Sequence, residues 1–242
     1  VMRLTTVEGM QSEIFVPVTP KPIFTELKKP LNQCKIAFIT AGGIHRKDQK
    51  PFNTSGDFSY RTIPFDIPSE QLMVTHGGFD NSDINKDVNA MFPIDRLREL
   101  VKEGYIGSLS EETYTFMGGG GNVEKFQNET GPEIARKLKA QGVDIVLCTG
   151  GCGTCHRSAT IVTRCCEAEG MSCCVIAALP PIARQQGAPR ITAPHVPIGS
   201  NAGEPNNKEM QTAIIKESLE WVRDCPSFNA TKILPYEYRH NV

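Results

Sequence analysis

The apolar positions of this chain follow two periodicities. Lys35-Ile-Ala-Phe-Ile-Thr-Ala-Gly-Gly43 is an almost unbroken apolar run closed by paired glycines, the pattern of a strand buried on both faces of a parallel sheet. Val143–Thr149 and Met171–Ala178 repeat it, and Gln71–Thr75 reads as a shorter strand. Between these runs the apolar spacing lengthens to three and four. Pro93–Gly104 places Ile94, Leu97, Leu100 and Val101 on one stripe, with proline early and glycine at the stop. Ile134, Ala135 and Leu138 form a second stripe behind Thr130-Gly-Pro-Glu133, read as a capping box, and Gly142 ends that helix. A third stripe, Cys155, Ala159, Val162 and Cys166, starts where Thr154 can cap it and stops at Gly170. A last helix over about 206–222 packs Ile214, Ile215, Leu219 and Val222 inward.

From 130 to 178 the order is helix, strand, helix, strand, the alternation of a βαβ crossover. It predicts an α/β fold: an open, mostly parallel, Rossmann-like sheet with flanking helices and a ligand crevice at the strand C-terminal ends. Pro17, Pro20, Pro22 and Pro30 predict an extended N-terminal arm over 1–34, suited to wrapping a partner. Residues 35–242 are then one α/β domain or two small lobes. Residues 44–70 read as polar and turn-rich. The six prolines of 180–205 predict a long functional loop.

Charge narrows the function classes. With 26 basic and 27 acidic residues there is no basic field to attract nucleic acid or anionic lipid. The N-terminus has no apolar signal core and no run approaches a membrane span, so the expected location is the cytoplasm. Nine cysteines, an odd number, without a secretory signal point to reduced thiols rather than a disulfide framework. Cys34, Cys148, Cys173 and Cys174 sit in strand-like runs and read as small buried hydrophobes.

The exception is Val143-Asp-Ile-Val-Leu-Cys-Thr-Gly-Gly-Cys152-Gly-Thr-Cys155-His-Arg-Ser158. A strand ends in two glycines, a Cys-x-x-Cys pair follows, and a helix begins at once. A thiol at that turn meets free backbone N–H groups and the positive end of the helix dipole, which favour the thiolate. Cys152 is expected to be the exposed nucleophile and Cys155 the resolving thiol. The pair is open to three readings: a dithiol redox centre, half of a zinc site, or chance in a cysteine-rich chain. Zinc lacks a second pair of ligands at suitable spacing. His156 either tunes the pair electrostatically or is a surface or capping imidazole. His76 and Asp80, in Thr75-His-Gly-Gly-Phe-Asp80, follow a predicted strand and can reach the same crevice. His76 is then a general acid or substrate ligand, or else a structural hydrogen-bonding residue. The Gly118–Gly121 quartet lacks a P-loop or dinucleotide fingerprint and reads as a hinge or lid. His195 is the weakest candidate.

Three segments in order carry a resemblance: Thr149–Arg164, His76–Asp80 running through Asn89–Leu100, and the proline-rich stretch leading into the last helix. Together they resemble the selenoprotein subunits of D-proline reductase, which are similar to selenoprotein B of glycine, sarcosine and betaine reductases. The likeness covers the chain from about residue 35 onward. It implies reductive ring opening of D-proline to 5-aminovalerate, with the residue at 152 attacking the α-carbon and Cys155 resolving the adduct. It also implies a pyruvoyl group on a separate partner subunit and a dithiol or electron-transfer reductant. This chain itself has no cofactor-binding or metal-binding residues on that reading. One position departs from the family, which has selenocysteine where this sequence has Cys152, so selenocysteine is the expected native residue. The alternative from the bare motif is a general dithiol–disulfide electron-transfer protein.

Overall fold

The computed structural model describes residues 22–121 and 123–239, preceded by a short antiparallel pairing of Thr5–Thr6 with Met10–Gln11. Half of the expected N-terminal arm falls outside the described residues. The part from residue 22 onward is pinned at Thr25 to the chain's own Glu167 and Arg190 and ends in a single 3-10 turn over Leu31–Gln33.

The first apolar run forms β1 (Lys35–Ala41), buried on both faces. Two short strands follow, β2 (Ile44–Arg46) and β3 (Tyr60–Pro64), inside the stretch read as turns. Next come β4 (Leu72–Val74), α1 (Ser82–Lys86), α2 (Ile94–Lys102), β5 (Ser108–Leu109) and β6 (Glu112–Phe116). The helix–strand alternation then gives α3 (Gly131–Ala140), β7 (Ile145–Gly150), α4 (Gly153–Ala168), β8 (Ser172–Ile176), α5 (Pro180–Gln185) and β9 (Arg190–His195). The chain closes with α6 (Lys208–Asp224) and β10 (Ala230–Glu237).

The main sheet runs β10-β9-β8-β7-β1-β6-β3, with β5 also against β1. All its pairings are parallel except β3 with β6. This is the expected open, mostly parallel α/β sheet. Alternation along β1 splits the core in two: Ile36 and Phe38 face the side covered by α2 and α6, and Ala37 and Ile39 face the side covered by α3 and α4. Register Ile36↔Ile145 through Ala41↔Gly150 brings the ends of β1 and β7 level, and the chemistry sits there.

Several expectations change. The strand at 72–74 does not join the main sheet; it pairs antiparallel with β2. Thr130 is not a helix cap. It lies inside a continuous helical stretch entered through a π turn (Phe126–Thr130), and its hydroxyl donates to the Phe58 carbonyl. The proline-rich stretch 180–205 is not one loop. Pro180 and Pro181 occupy the first turn of α5, where proline's missing N–H has no helical partner to lose, and residues 190–195 form β9. β6 and β10 went unread because threonine, lysine and glutamate interrupt their apolar positions.

Candidate active site

The buried strand β7 delivers the chain through Gly151 to Cys152, the N-cap residue of the sixteen-residue helix α4. The Cys152 side chain makes no capping bond of its own. Its Sγ instead lies 2.9 Å from Cys155 Sγ and 3.0 Å from Thr154 Oγ1. Thr154 is therefore not the cap expected of it; one residue into the helix, its hydroxyl serves the sulfur. Cys152 is half-buried and Cys155 wholly buried, as the positions on the helix predicted.

Electrostatics separate the two thiols. Hydrogen bonding from Cys155 draws the Cys152 thiol down to about 3; burial opposes this, while His76, Thr154 and the Cys155 N–H reinforce it. Burial and the adjoining Cys152 sulfur push Cys155 well above the ordinary thiol range. At neutral pH the pair thus holds one thiolate, on the accessible sulfur, and one thiol. Burial also raises Cys148, Cys165, Cys173 and Cys174, which favours the protonated thiol at each.

His76 reaches the pair from the loop after β4. Its Nδ1 accepts the Gly78 N–H at 2.9 Å, which assigns the ring proton to Nε2. Nε2 is 2.9 Å from both the Met117 carbonyl oxygen and Cys155 Sγ. The Phe79 ring packs against the imidazole and Asn81 donates to the His76 carbonyl, which fixes the loop. Asp80 does not join this group. It is exposed and accepts hydrogen bonds from the Ser82 N–H and hydroxyl at the start of α1. His156 is buried; its Nδ1 lies 2.8 Å from the Cys152 carbonyl oxygen and its Nε2 accepts the Leu179 N–H. It ties the backbone at Cys152 to the loop before α5, and burial lowers its pKa. His195 ends β9 with its side chain exposed.

Three contributors were not assigned to the site from the sequence. The Met117 carbonyl is backbone. Asn201 is buried and bridges β7 to β8 by donating to the Gly150 and Ile176 carbonyls. Gly118, read as part of a hinge, packs directly on the resolving thiol: at φ +82°, a Cβ there would sit 2.6 Å from Cys155 Sγ. Gly118→Ala is expected to displace Cys155, so that oxidation to a Cys152–Cys155 bridge slows by about tenfold or more while alkylation of Cys152 persists. Timed oxidation followed by mass spectrometry reads both, and an unchanged oxidation rate would remove Gly118 from the site.

Cys152, Cys155 and His76 bring three ligand atoms within 4.8 Å of one another. Two features oppose a metal. The Gly78 N–H turns a proton, not a lone pair, toward the sulfurs. The sulfurs are also 2.9 Å apart, whereas two thiolates bound to zinc at about 2.3 Å each stand about 3.8 Å apart in a tetrahedral site.

Residues 3–151 match the family model for glycine/sarcosine/betaine reductase selenoprotein B, which stops one residue short of Cys152. The chain belongs to the selenoprotein B family. It is 56% identical over 235 residues, 97% of both chains, to the D-proline reductase subunit gamma of Acetoanaerobium sticklandii. It is 30% identical over 230 residues to the glycine reductase complex component B subunit gamma of Peptoclostridium acidaminophilum, covering 88% of this chain and 52% of that one. A betaine reductase complex component B subunit beta from the same organism is 30% identical over 210 residues, 47% of its length. The chain thus spans about half the length of these glycine and betaine reductase relatives. No solved structure matches it.

Proposed function

We propose that this selenoprotein B family member is the redox-active subunit of a D-proline reductase-type complex, cleaving a C–N bond of D-proline to give 5-aminovalerate. The observation that carries this reading is the Cys152 thiolate at the head of α4, held 2.9 Å from a buried thiol, in a chain so close to a D-proline reductase subunit. Selenocysteine is the native residue proposed at 152, and the surroundings suit it. The helix N-terminus, Thr154 and Cys155 stabilise an anion at that position whether the atom is sulfur or selenium.

A pyruvoyl group on a partner subunit supplies the activation of the substrate nitrogen. The residue at 152 attacks the α-carbon, and the electrons of the C–N bond leave on nitrogen. Cys155 then attacks the chalcogen of the adduct. The bond from that atom to carbon breaks, its electron pair goes to the α-carbon, and a proton completes the product. The chain finishes with a 152–155 bridge, having given up two electrons, and an external dithiol or electron-transfer protein reduces it. A free dithiol cycle of this kind belongs in the cytoplasm, and no helix among the described residues is long and apolar enough to cross a membrane.

The test is assembly of the chain, with selenocysteine at 152, with the pyruvoyl-bearing subunit and a dithiol. Conversion of D-proline to 5-aminovalerate is expected; intact D-proline would sink the proposal, and cleavage of glycine or betaine instead would reassign the substrate. Turnover of generic disulfides by the chain alone would favour the electron-carrier reading. The peptide bearing residue 152, isolated from its native source, should show a selenium isotope envelope. A sulfur envelope would overturn the selenocysteine assignment.

A further inference from the structure

The proton on His76 Nε2 has two acceptors at the same distance, the Met117 carbonyl and Cys155 Sγ, each 2.9 Å away. With Cys152 as thiolate, Cys155 S–H donates to it across 2.9 Å, and His76 donates to the Met117 carbonyl while also helping to hold the Cys152 charge. Once Cys152 carries an adduct its sulfur is neutral and a poor acceptor. Cys155 must then attack as a thiolate from a buried position, where an unsatisfied charge is costly.

We propose that His76 is a catalytic residue of the resolving half of the cycle: its Nε2–H turns from Met117 to Cys155 and stabilises the thiolate that forms the 152–155 bridge. The same bond stabilises Cys155 as the leaving thiolate when the bridge is reduced. His76 neither accepts nor releases a proton in this role, because the Gly78 N–H occupies Nδ1 and Nε2–H acts only as a donor. In the resolving step the Cys155–S152 bond forms and the bond from S152 to its adduct breaks. The adduct leaves with the electron pair, and the proton given up by Cys155 goes to the leaving group or to solvent. In the D-proline cycle, on which this part of the inference rests, that leaving group is the product α-carbon.

The role can be tested without substrate. An aromatic disulfide such as dithiobis(nitrobenzoate) reacts with the reduced chain in two phases, capture by Cys152 and then release of the second thiol by Cys155. Cys155→Ser assigns the second phase by abolishing it. His76→Phe is expected to slow the second phase about 10- to 100-fold, the range for losing a hydrogen bond to a charged group, and to change the first by far less. His76→Gln, whose amide can donate to Cys155, should restore much of the loss. If His76→Phe does not fold, His76→Asn, with an amide too short to reach the sulfur, makes the same comparison. Equal slowing of both phases, or an unchanged second phase, would overturn the proposal. In the assembled complex the same variant should accumulate a covalent adduct on residue 152 in the presence of D-proline. Slow resolution of the aromatic disulfide without any such adduct would leave His76 in its role and reject D-proline as substrate.

Discussion

Alkylation of Cys152 by iodoacetamide is expected to run at a nearly constant rate from about pH 8 down to about pH 5, where an ordinary thiol slows about tenfold per unit below its pKa. The sign follows from the direction of the shift. Hydrogen bonding from Cys155 lowers Cys152 to about 3, so the reactive thiolate is already fully formed throughout that window and begins to protonate only near its lower folded value. Cys155→Ala removes the largest cause of the lowering. Burial, which opposes ionisation, then weighs more heavily, and the Cys152 pKa rises. At about pH 5 the variant should alkylate more than tenfold slower than the parent chain, and the difference should shrink toward about pH 9. Mass spectrometry of the peptide carrying Cys152 gives the rates free of the other cysteines. A parent profile falling tenfold per unit below about pH 8 would mean that the helix terminus and Cys155 do not hold a thiolate there.

Arg190→Met should destabilise the fold by about 3–5 kcal/mol, the usual consequence of removing one partner of a buried ion pair. Arg190 Nη1 lies 2.6 Å from Glu167 Oε1, with the two side chains 1% and 0% exposed. The same carboxylate accepts the Cys173 N–H, and Arg190 donates from its other nitrogen to the Thr25 carbonyl while its guanidinium stacks 4.0 Å from the Phe24 ring centroid. Without Arg190 the Glu167 carboxylate is left buried without its cationic partner, and the segment at 24–25 loses its contacts to the guanidinium. For a chain of this length the loss corresponds to a fall in melting temperature of roughly 10 °C. Urea unfolding measures it, and a loss under about 1 kcal/mol would show that the pair is not the anchor its burial indicates. A double variant, Arg190→Met with Glu167→Leu, should recover part of the stability, since it leaves no unpaired charge. Glu167 is near the C-terminal end of α4, remote from the thiols at its head, so Cys152 alkylation should be unaffected.

Some elements could be read directly because their sequence pattern is local. A strand buried on both faces has to be apolar at consecutive positions, which made β1, β7 and β8 visible. The stripes of α2, α3, α4 and α6 followed from the 3.6 period. Cys152 and Cys155 were legible for the same reason: three residues apart at a strand-to-helix turn, they meet through the geometry of one helical turn. Edge and mixed strands gave no such sign. β10 buries little besides Leu234, and β3 keeps four of its five residues partly exposed.

The rest was decided by tertiary structure. His76 and Cys155 are 79 residues apart, and only the crossing of the β4 loop over the end of β7 brings Nε2 to the sulfur. Sequence placed Asp80 beside it, but a side chain's direction depends on the turn it sits in, and this turn spends the carboxylate on the start of α1. The Met117 carbonyl, a backbone group, carries no residue signature at all, and the need for glycine at 118 arises from its φ of +82° together with Cys155 packing against it. By itself the sequence determined a parallel α/β sheet and a Cys-x-x-Cys pair at a helix N-terminus, because both follow from neighbours along the chain. The partner of the second thiol was left to the fold, because a hydrogen bond between distant segments exists only once packing has set their separation to within a few tenths of an ångström.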